Sequence, residues 1–480
     1  MRRMVLNAAL GRTTRARRDP ERALANWRTS AEEIAAAADI EPDTDDNAFS
    51  AELGFLLQCL ARVPDLTPVG WNLRLEDAEL RYENRLRVKW IHANNPLVAA
   101  EPVDRPVFIV GLPRTATALV HRLLSRTEGH RGPLLWELQR TGLDHDPLSA
   151  DRAREAVARR SEALRRLSPA YDSIQPVHAE QPGESSAVMW RTYLPLACAP
   201  MQEYRTWLEQ TDPIDDYTYL RQVLQVLQYG RPRKRWILRF PGHVAHLDVI
   251  RQVFPQASFV WMHRDPATAL ASFCSLAEAL TTLHCKAIDP KWIGRTWLGI
   301  LADAIARGRK HRRALPESAV VDVSYHRLVS DPHRFVPQVY ERLGAAWAYE
   351  DQAGLNDLIG PAGRESAHQY SLERYGLSAG EVEAAFDDAL EVLPADRVRV
   401  DREVVGLPGV PAVVAAERGR PGLVGPAGHV DVRVGAVGER VRRVVRLRIA
   451  VHVEAVVHRG VARVVGVDER HAQHHVQIGL

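Results

Sequence analysis

The 480-residue chain has no run of eighteen apolar side chains and only four cysteines. The first absence leaves no segment suited to crossing a bilayer as a helix, which takes about twenty such residues. Despite Arg2 and Arg3, the N-terminus lacks the apolar stretch of a secretory signal. Cys59, Cys198, Cys274 and Cys285 show neither metal-site nor redox spacing. Their apolar neighbours predict buried free thiols in a reducing compartment, and the cytoplasm is the expected location. A strong charge imbalance is also missing, since the formal net charge is +3. Residues 401–480 hold 12 of the 63 basic and 8 of the 60 acidic side chains, so the remainder is close to neutral. There is thus no global electrostatic case for a nucleic-acid partner.

The last eighty residues are defined by what they omit: Lys, Trp, Tyr, Phe, Ser, Thr, Cys, Met and Asn are all absent. Apart from Ile449 and Ile478, every residue there has a codon beginning with G or C. That vocabulary is expected of a GC-rich gene read out of frame, and a shift near 390–400 is one reading of residues 396–480. A low-complexity basic tail that binds an anionic partner is the other.

Upstream, the coarse pattern is helical over 21–100, with an alanine-rich segment near Ala23–Ala38, an apolar one from Phe49 to Ala61 and a charged one from Leu73 to Trp90. These predict an N-terminal helical region, 1–100, packed on a domain spanning 101–395. Residues 134–230 read as mainly helical with proline-containing breaks, and would supply an acceptor pocket. Trp71, Trp90, Trp136, Trp190 and Trp207 are either pocket walls or core.

The most informative segment is 106–124. Val107 to Val110 is an apolar β-branched and aromatic run, Gly111-Leu112-Pro113 breaks it, and Leu119, Leu123 and Leu124 recur at helical spacing. A turn between strand and helix sits at a helix N-terminus, where free backbone N–H groups and the positive end of the dipole attract phosphate. Arg114, Thr115 and Thr117 add charge and hydroxyls. The alternative is an ordinary strand-to-helix connection. A nucleotide kinase loop would need Gly-x-x-x-x-Gly-Lys-Ser/Thr, and here Ala116 and Thr117 stand at the Gly-Lys positions.

This segment resembles the loop of sulfotransferases that use 3′-phosphoadenosine-5′-phosphosulfate, in particular their bacterial branch, which reads close to Gly-Leu-Pro-Arg-Ser-Gly-Thr-Thr. The chain matches at Gly111, Leu112, Pro113, Arg114 and Thr117, with Thr115 for serine and with Ala116 and Ala118 where glycine and a second hydroxyl are usual. Ala118 removes one phosphate contact, and Ala116 is expected to keep the local backbone out of positive φ. Further along, Arg235–His243 and Ser258–Pro266 each hold a short strand, and the two strands flank a helix. Arg264 and Ser272, eight apart, are implied by the resemblance to grip the donor's 3′-phosphate. Asp265-Pro266 also reads as an N-cap and first helical residue, and the two readings are compatible. Ala319–Tyr325 is a third strand, whose tyrosine the family places near adenine. The resemblance spans roughly Asp45 to Leu390, including a last motif at Glu365–Leu372.

The resemblance implies an α/β, P-loop-containing sulfotransferase fold: a central, mostly parallel sheet flanked by helices, with an N-terminal helical layer. It implies donor binding by Arg114, Thr115, Ala116, Thr117, Ala118, Arg264, Ser272 and Tyr325, with no metal. The acceptor would be a small molecule, lipid or carbohydrate, sulfated at a hydroxyl or amine. Three general bases compete: His243, after Arg239-Phe240-Pro241-Gly242; Glu137, after the first core helix; and His178 with Glu184. A small-molecule kinase with a degenerate loop and a non-catalytic nucleotide-binding relative are the rival functions.

Overall fold

A computed structural model of the chain describes Asn7, Leu10, 19–359 and 371–386. The tail after 386 and most of the Glu365–Leu372 motif lie outside the described residues. Helices α1 (Pro20–Ala37), α2 (Thr44–Ala61) and α3 (Pro68–Asn94) lie in the N-terminal region and overlap the three segments read as helical from the sequence, the last two starting about a turn earlier. Each starts on a side-chain cap: Asp19 accepts from the Arg22 amide, Asp43 exchanges hydrogen bonds with Asp46, and Thr67 accepts from the Gly70 amide.

A five-stranded, all-parallel sheet follows, in the order β2-β3-β1-β4-β5. Its strands are β1 (Val107–Gly111), β2 (His130–Arg131), β3 (Arg235–Arg239), β4 (Ser258–His263) and β5 (Val320–Ser324). The helices used below are α4 (Thr117–Arg126), α5 (Leu135–Gln139), α6 (Pro147–Leu167), α7 (Ile214–Gln228), α8 (Pro266–His284), α9 (Pro290–Arg312) and α10 (Pro332–Arg342).

Strand β1 is buried along its whole length, and its side chains alternate between two cores. Val107 and Ile109 pack with Val120, Leu123 and Leu124 of α4 and with Val260, Met262 and Val323. Phe108 and Val110 face the other way, into a cluster that runs without a break from Ala23 and Trp27 through Leu224 to Trp261. The N-terminal helices are therefore one layer of the same core. Trp71, Trp136 and Trp190 are core residues here, whereas Trp90 is half exposed.

Strand β1 lies centrally, with β3 on one side and β4 on the other. Chain order reverses at this point, and crevices outside the carboxyl ends of such strands are where α/β sheets bind ligands. The segments 111–117, 239–240, 263–265 and 324–325 all emerge at that edge.

Candidate active site

The turn after β1 begins at Gly111, which has φ +127°; a Cβ there would stand 2.5 Å from the Met262 carbonyl oxygen of β4. Only glycine fits both the conformation and the approach of the neighbouring strand. Arg114 (φ +67°) and Ala116 (φ +64°) then adopt the left-handed region on either side of Thr115. Contrary to the sequence expectation, Ala116 does not keep the backbone out of positive φ. Tertiary packing imposes the turn and the alanine is strained, at a cost of about 1–2 kcal/mol. Such changes of backbone hand bring amide N–H groups together on an anion.

Helix α4 starts at Thr117 with no side-chain cap, whereas α1, α2, α3, α8 and α9 each begin on a capping side chain. Its first N–H groups are thus available to a ligand. The Thr115 hydroxyl is not: it donates to the Leu112 carbonyl at 2.7 Å and is fully buried, so it braces the turn instead of presenting a donor. Thr117 is buried at the first helical position, and Ala118 is exposed just beyond it.

Residues far apart in sequence converge on this turn. Arg114 Nε donates to Ser272 Oγ at 3.2 Å, and Arg114 Nη1 to the Ile174 carbonyl at 3.3 Å. Arg264 Nη1 donates to the Arg114 carbonyl at 2.5 Å, while its guanidinium lies 4.0 Å from the Tyr325 ring centroid. Asp265 caps α8 as the Asp-Pro pair predicts, accepting from the Thr268 amide at 2.7 Å. That cap aligns the first two turns of α8 and brings Ser272, itself buried, under Arg114.

The three candidate bases fare differently. His243 is wholly buried: Nδ1 shares a 2.9 Å hydrogen bond with the Tyr217 hydroxyl, and Phe108 and Phe240 pack edge-on at 5.0 and 5.5 Å. Burial pushes its pKa down to about 3, helped by nearby His246. In this arrangement it is a neutral core histidine. Glu137 is buried. Its carboxylate accepts from Arg131 at 2.6 Å, Arg231 at 3.3 Å and the Leu134 amide at 2.9 Å, anchoring the start of α5. His178 is exposed, and its expected carboxylate partner is engaged elsewhere. Glu184 instead accepts from Arg239 Nη1 at 2.8 Å and from the Ser186 hydroxyl at 3.2 Å.

Arg239 closes β3, in register with Ile109 of β1, so its partner Glu184 is held at the same edge of the sheet as the turn after β1. Tyr171 links the two regions. It belongs to the helical turn Pro169–Ile174, whose last carbonyl receives Arg114, and its hydroxyl pKa is raised by burial and then by Glu184.

A second network was not anticipated. Asp322 of β5 receives His263 Nε2 at 2.6 Å and both terminal nitrogens of Arg312 at 2.6 Å each. Burial pushes its carboxyl up, but these hydrogen bonds outweigh burial and hold it well below the usual carboxylate range. One signal for it exists in the sequence, a lone carboxylate inside the apolar run Val320–Val323.

The chain is similar to known sulfotransferases. Omega-hydroxy-beta-dihydromenaquinone-9 sulfotransferase Stf3 from Mycobacterium bovis and from Mycobacterium tuberculosis are each 29% identical over 257 residues. That match spans 50% of this chain and 63% of the relative. Sulfotransferase STF1 of Mycobacterium tuberculosis superposes with a TM-score of 0.65 at 24% identity, covering 75% of this chain and 98% of the other. STF9 of Mycobacterium avium superposes with a TM-score of 0.67 at 24% identity, covering 76% and 96%. The fold is therefore the P-loop sulfotransferase fold. The sulfotransferase family model matches residues 106–349, from the first residue before β1 past the end of α10, and the chain belongs to that family.

Proposed function

We propose that the chain transfers a sulfuryl group from 3′-phosphoadenosine-5′-phosphosulfate to a hydroxyl or amine of a small-molecule, lipid or carbohydrate acceptor. The observation that carries this reading is the contact chain Ser272–Arg114–Arg264–Tyr325, which gathers separate sequence segments at one edge of the sheet. It joins a turn with free helix N–H groups to a second basic site with an aromatic face. The first suits the 5′-phosphate and the second the 3′-phosphate and base.

In the transfer, the bond between sulfur and the donor's phosphate oxygen breaks and a bond to the acceptor oxygen or nitrogen forms. The acceptor proton passes to a base, and 3′-phosphoadenosine-5′-phosphate leaves. By analogy with phosphoryl transfer, the protein's work is positioning and charge stabilisation. Arg114 and the amides 115–118 would take the charge that develops on the departing phosphate. Glu184, expected only as the carboxylate partner of His178, is better placed for a base than the three candidates: it is partly exposed at this edge of the sheet and oriented by Arg239, whereas His243 and Glu137 are enclosed.

The two Stf3 relatives are named as sulfotransferases of an omega-hydroxylated dihydromenaquinone, so a lipid quinone bearing a terminal hydroxyl is the first acceptor to try. Among the described residues no helix is long and apolar enough to cross a membrane. All four cysteines are free and buried, which supports a reducing, cytoplasmic setting. Incubation with ³⁵S-labelled donor in EDTA, with and without acceptor, tests the function. Acceptor-dependent label transfer without divalent metal is expected. Absence of nucleotide binding by folded protein would refute the donor assignment, and metal-dependent transfer from ATP would favour the kinase.

A further inference from the structure

We infer that Asp322, held by Arg312 and His263, is a positioning residue that sets Arg264 against Tyr325 and so tunes recognition of the donor's 3′-phosphate. This rests on the donor reading above. Strands β4 and β5 pair in parallel up to His263 and Ser324, and beyond that point no ladder hydrogen bond fixes the separation of their ends. Arg264 and Tyr325 are the next residue of each strand. Asp322 is paired with Trp261, two pairs before the ladder ends, and its carboxylate reaches across to His263 of the last pair. It takes His263 Nε2 from β4 and a two-pronged Arg312 from the end of α9.

Each arm is fixed further. The His263 ring is parallel to the Trp261 indole, 3° between planes at 6.0 Å, and the Arg312 guanidinium lies 5.4 Å from the Trp261 ring. A planar guanidinium with two parallel bonds to one carboxylate constrains orientation as well as distance. His263 therefore cannot rotate without breaking a charge-assisted bond, and the backbone that carries Arg264 turns away from the strand at a fixed point. Arg264 itself makes one backbone bond, to the Arg114 carbonyl, and one face contact, to Tyr325. Its aim thus depends on where β4 and β5 end.

The test is calorimetric titration of the full-length chain with 3′-phosphoadenosine-5′-phosphate and with adenosine-5′-phosphate, which lacks the 3′-phosphate. Asp322→Asn should weaken the first about tenfold and the second less than about twofold, the size of a misaligned charge-assisted contact. In an Arg264→Ala background the same substitution should add less than about twofold, because the two act on one interaction. Equal weakening of both nucleotides, or a full additive loss on top of Arg264→Ala, would overturn the inference and leave Asp322 a purely structural residue. His263→Gln, which keeps the Arg312 bridge, serves as a milder probe should Asp322→Asn misfold, with the same selectivity expected on a smaller loss. If the unsubstituted chain binds neither nucleotide, the donor reading itself fails. If it binds both equally and Arg264→Ala changes nothing, the 3′-phosphate assignment fails and takes this inference with it.

Discussion

The Arg264 guanidinium stands 4.0 Å from the centroid of the Tyr325 ring while one of its nitrogens holds the Arg114 carbonyl at 2.5 Å. One side chain therefore touches both the turn after β1 and the aromatic face. Arg264→Ala should weaken 3′-phosphoadenosine-5′-phosphate about a hundredfold, and Arg264→Lys should recover little of it, because an ammonium replaces neither the planar fork nor the stacking. Titration calorimetry at fixed ionic strength checks both.

Gly111 answers to packing as much as to binding. With φ +127° and the Met262 carbonyl 2.5 Å from a notional Cβ, Gly111→Ala has no relaxed solution. A loss of roughly 3 kcal/mol or more is expected, from backbone strain and overpacking together. The midpoint of urea unfolding, followed by tryptophan fluorescence, is the measurement.

At Ala116 the opposite substitution is informative. Ala116→Gly removes a Cβ from a left-handed position at φ +64°, and should stabilise the protein by up to about 1 kcal/mol after glycine's extra unfolded-state entropy is counted. Tighter nucleotide binding should accompany it, since the turn would no longer be held against its preference. A lower melting temperature in the variant would show that the alanine methyl contributes packing that outweighs the strain.

Glu184 and Glu137 separate by readout. Glu184→Gln should reduce labelled transfer by about 10²–10⁴-fold while nucleotide affinity changes little, as expected for loss of a general base. Glu137→Gln should act chiefly on stability, because it strands Arg131 and Arg231 around a neutral amide. Transfer that survives in the Glu184 variant would return attention to His178, which is exposed on the same segment.

Acid stability follows from buried imidazoles. Burial pushes His121, His243 and His284 down to about 3, and His246 to about 4. A histidine whose folded pKa is depressed contributes stability above its unfolded value near 6.5 and loses it as pH falls toward the folded value. Asp216 works the other way: burial pushes it up to about 6, so its contribution is present at low pH and lost as pH rises through that value. Four imidazoles outweigh one carboxyl. Unfolding midpoints should therefore fall steadily from pH 6.5 toward 4, and His243→Gln should flatten the slope.

The helix starts and strands were legible because they rest on local chemistry. Asp265-Pro266 marks a helix whose cap the structure bears out, and Asp19-Pro20 and Asp331-Pro332 start helices with the same local chemistry. The convergence of Arg114, Arg264 and Ser272 was accessible only through resemblance, since nothing local joins residues 150 or more apart. The base candidates were the least legible. Whether His243 faces a cleft or the Phe108 ring depends on how the segment after β3 packs, and whether Glu184 serves His178 or Arg239 depends on a loop fold. Ala116 shows the same limit, as a propensity argument lost to tertiary packing.

The order β2-β3-β1-β4-β5 also bears on how the protein comes into being. The proposed nucleotide site draws on strand ends from Gly111 to Tyr325, and its central strand must be flanked by two strands made more than 120 residues later. A nascent chain therefore has no complete version of the site to offer until β5 has left the ribosome. Nucleotide capture would report completed assembly, and a ligand present during synthesis would stabilise only chains that had finished folding.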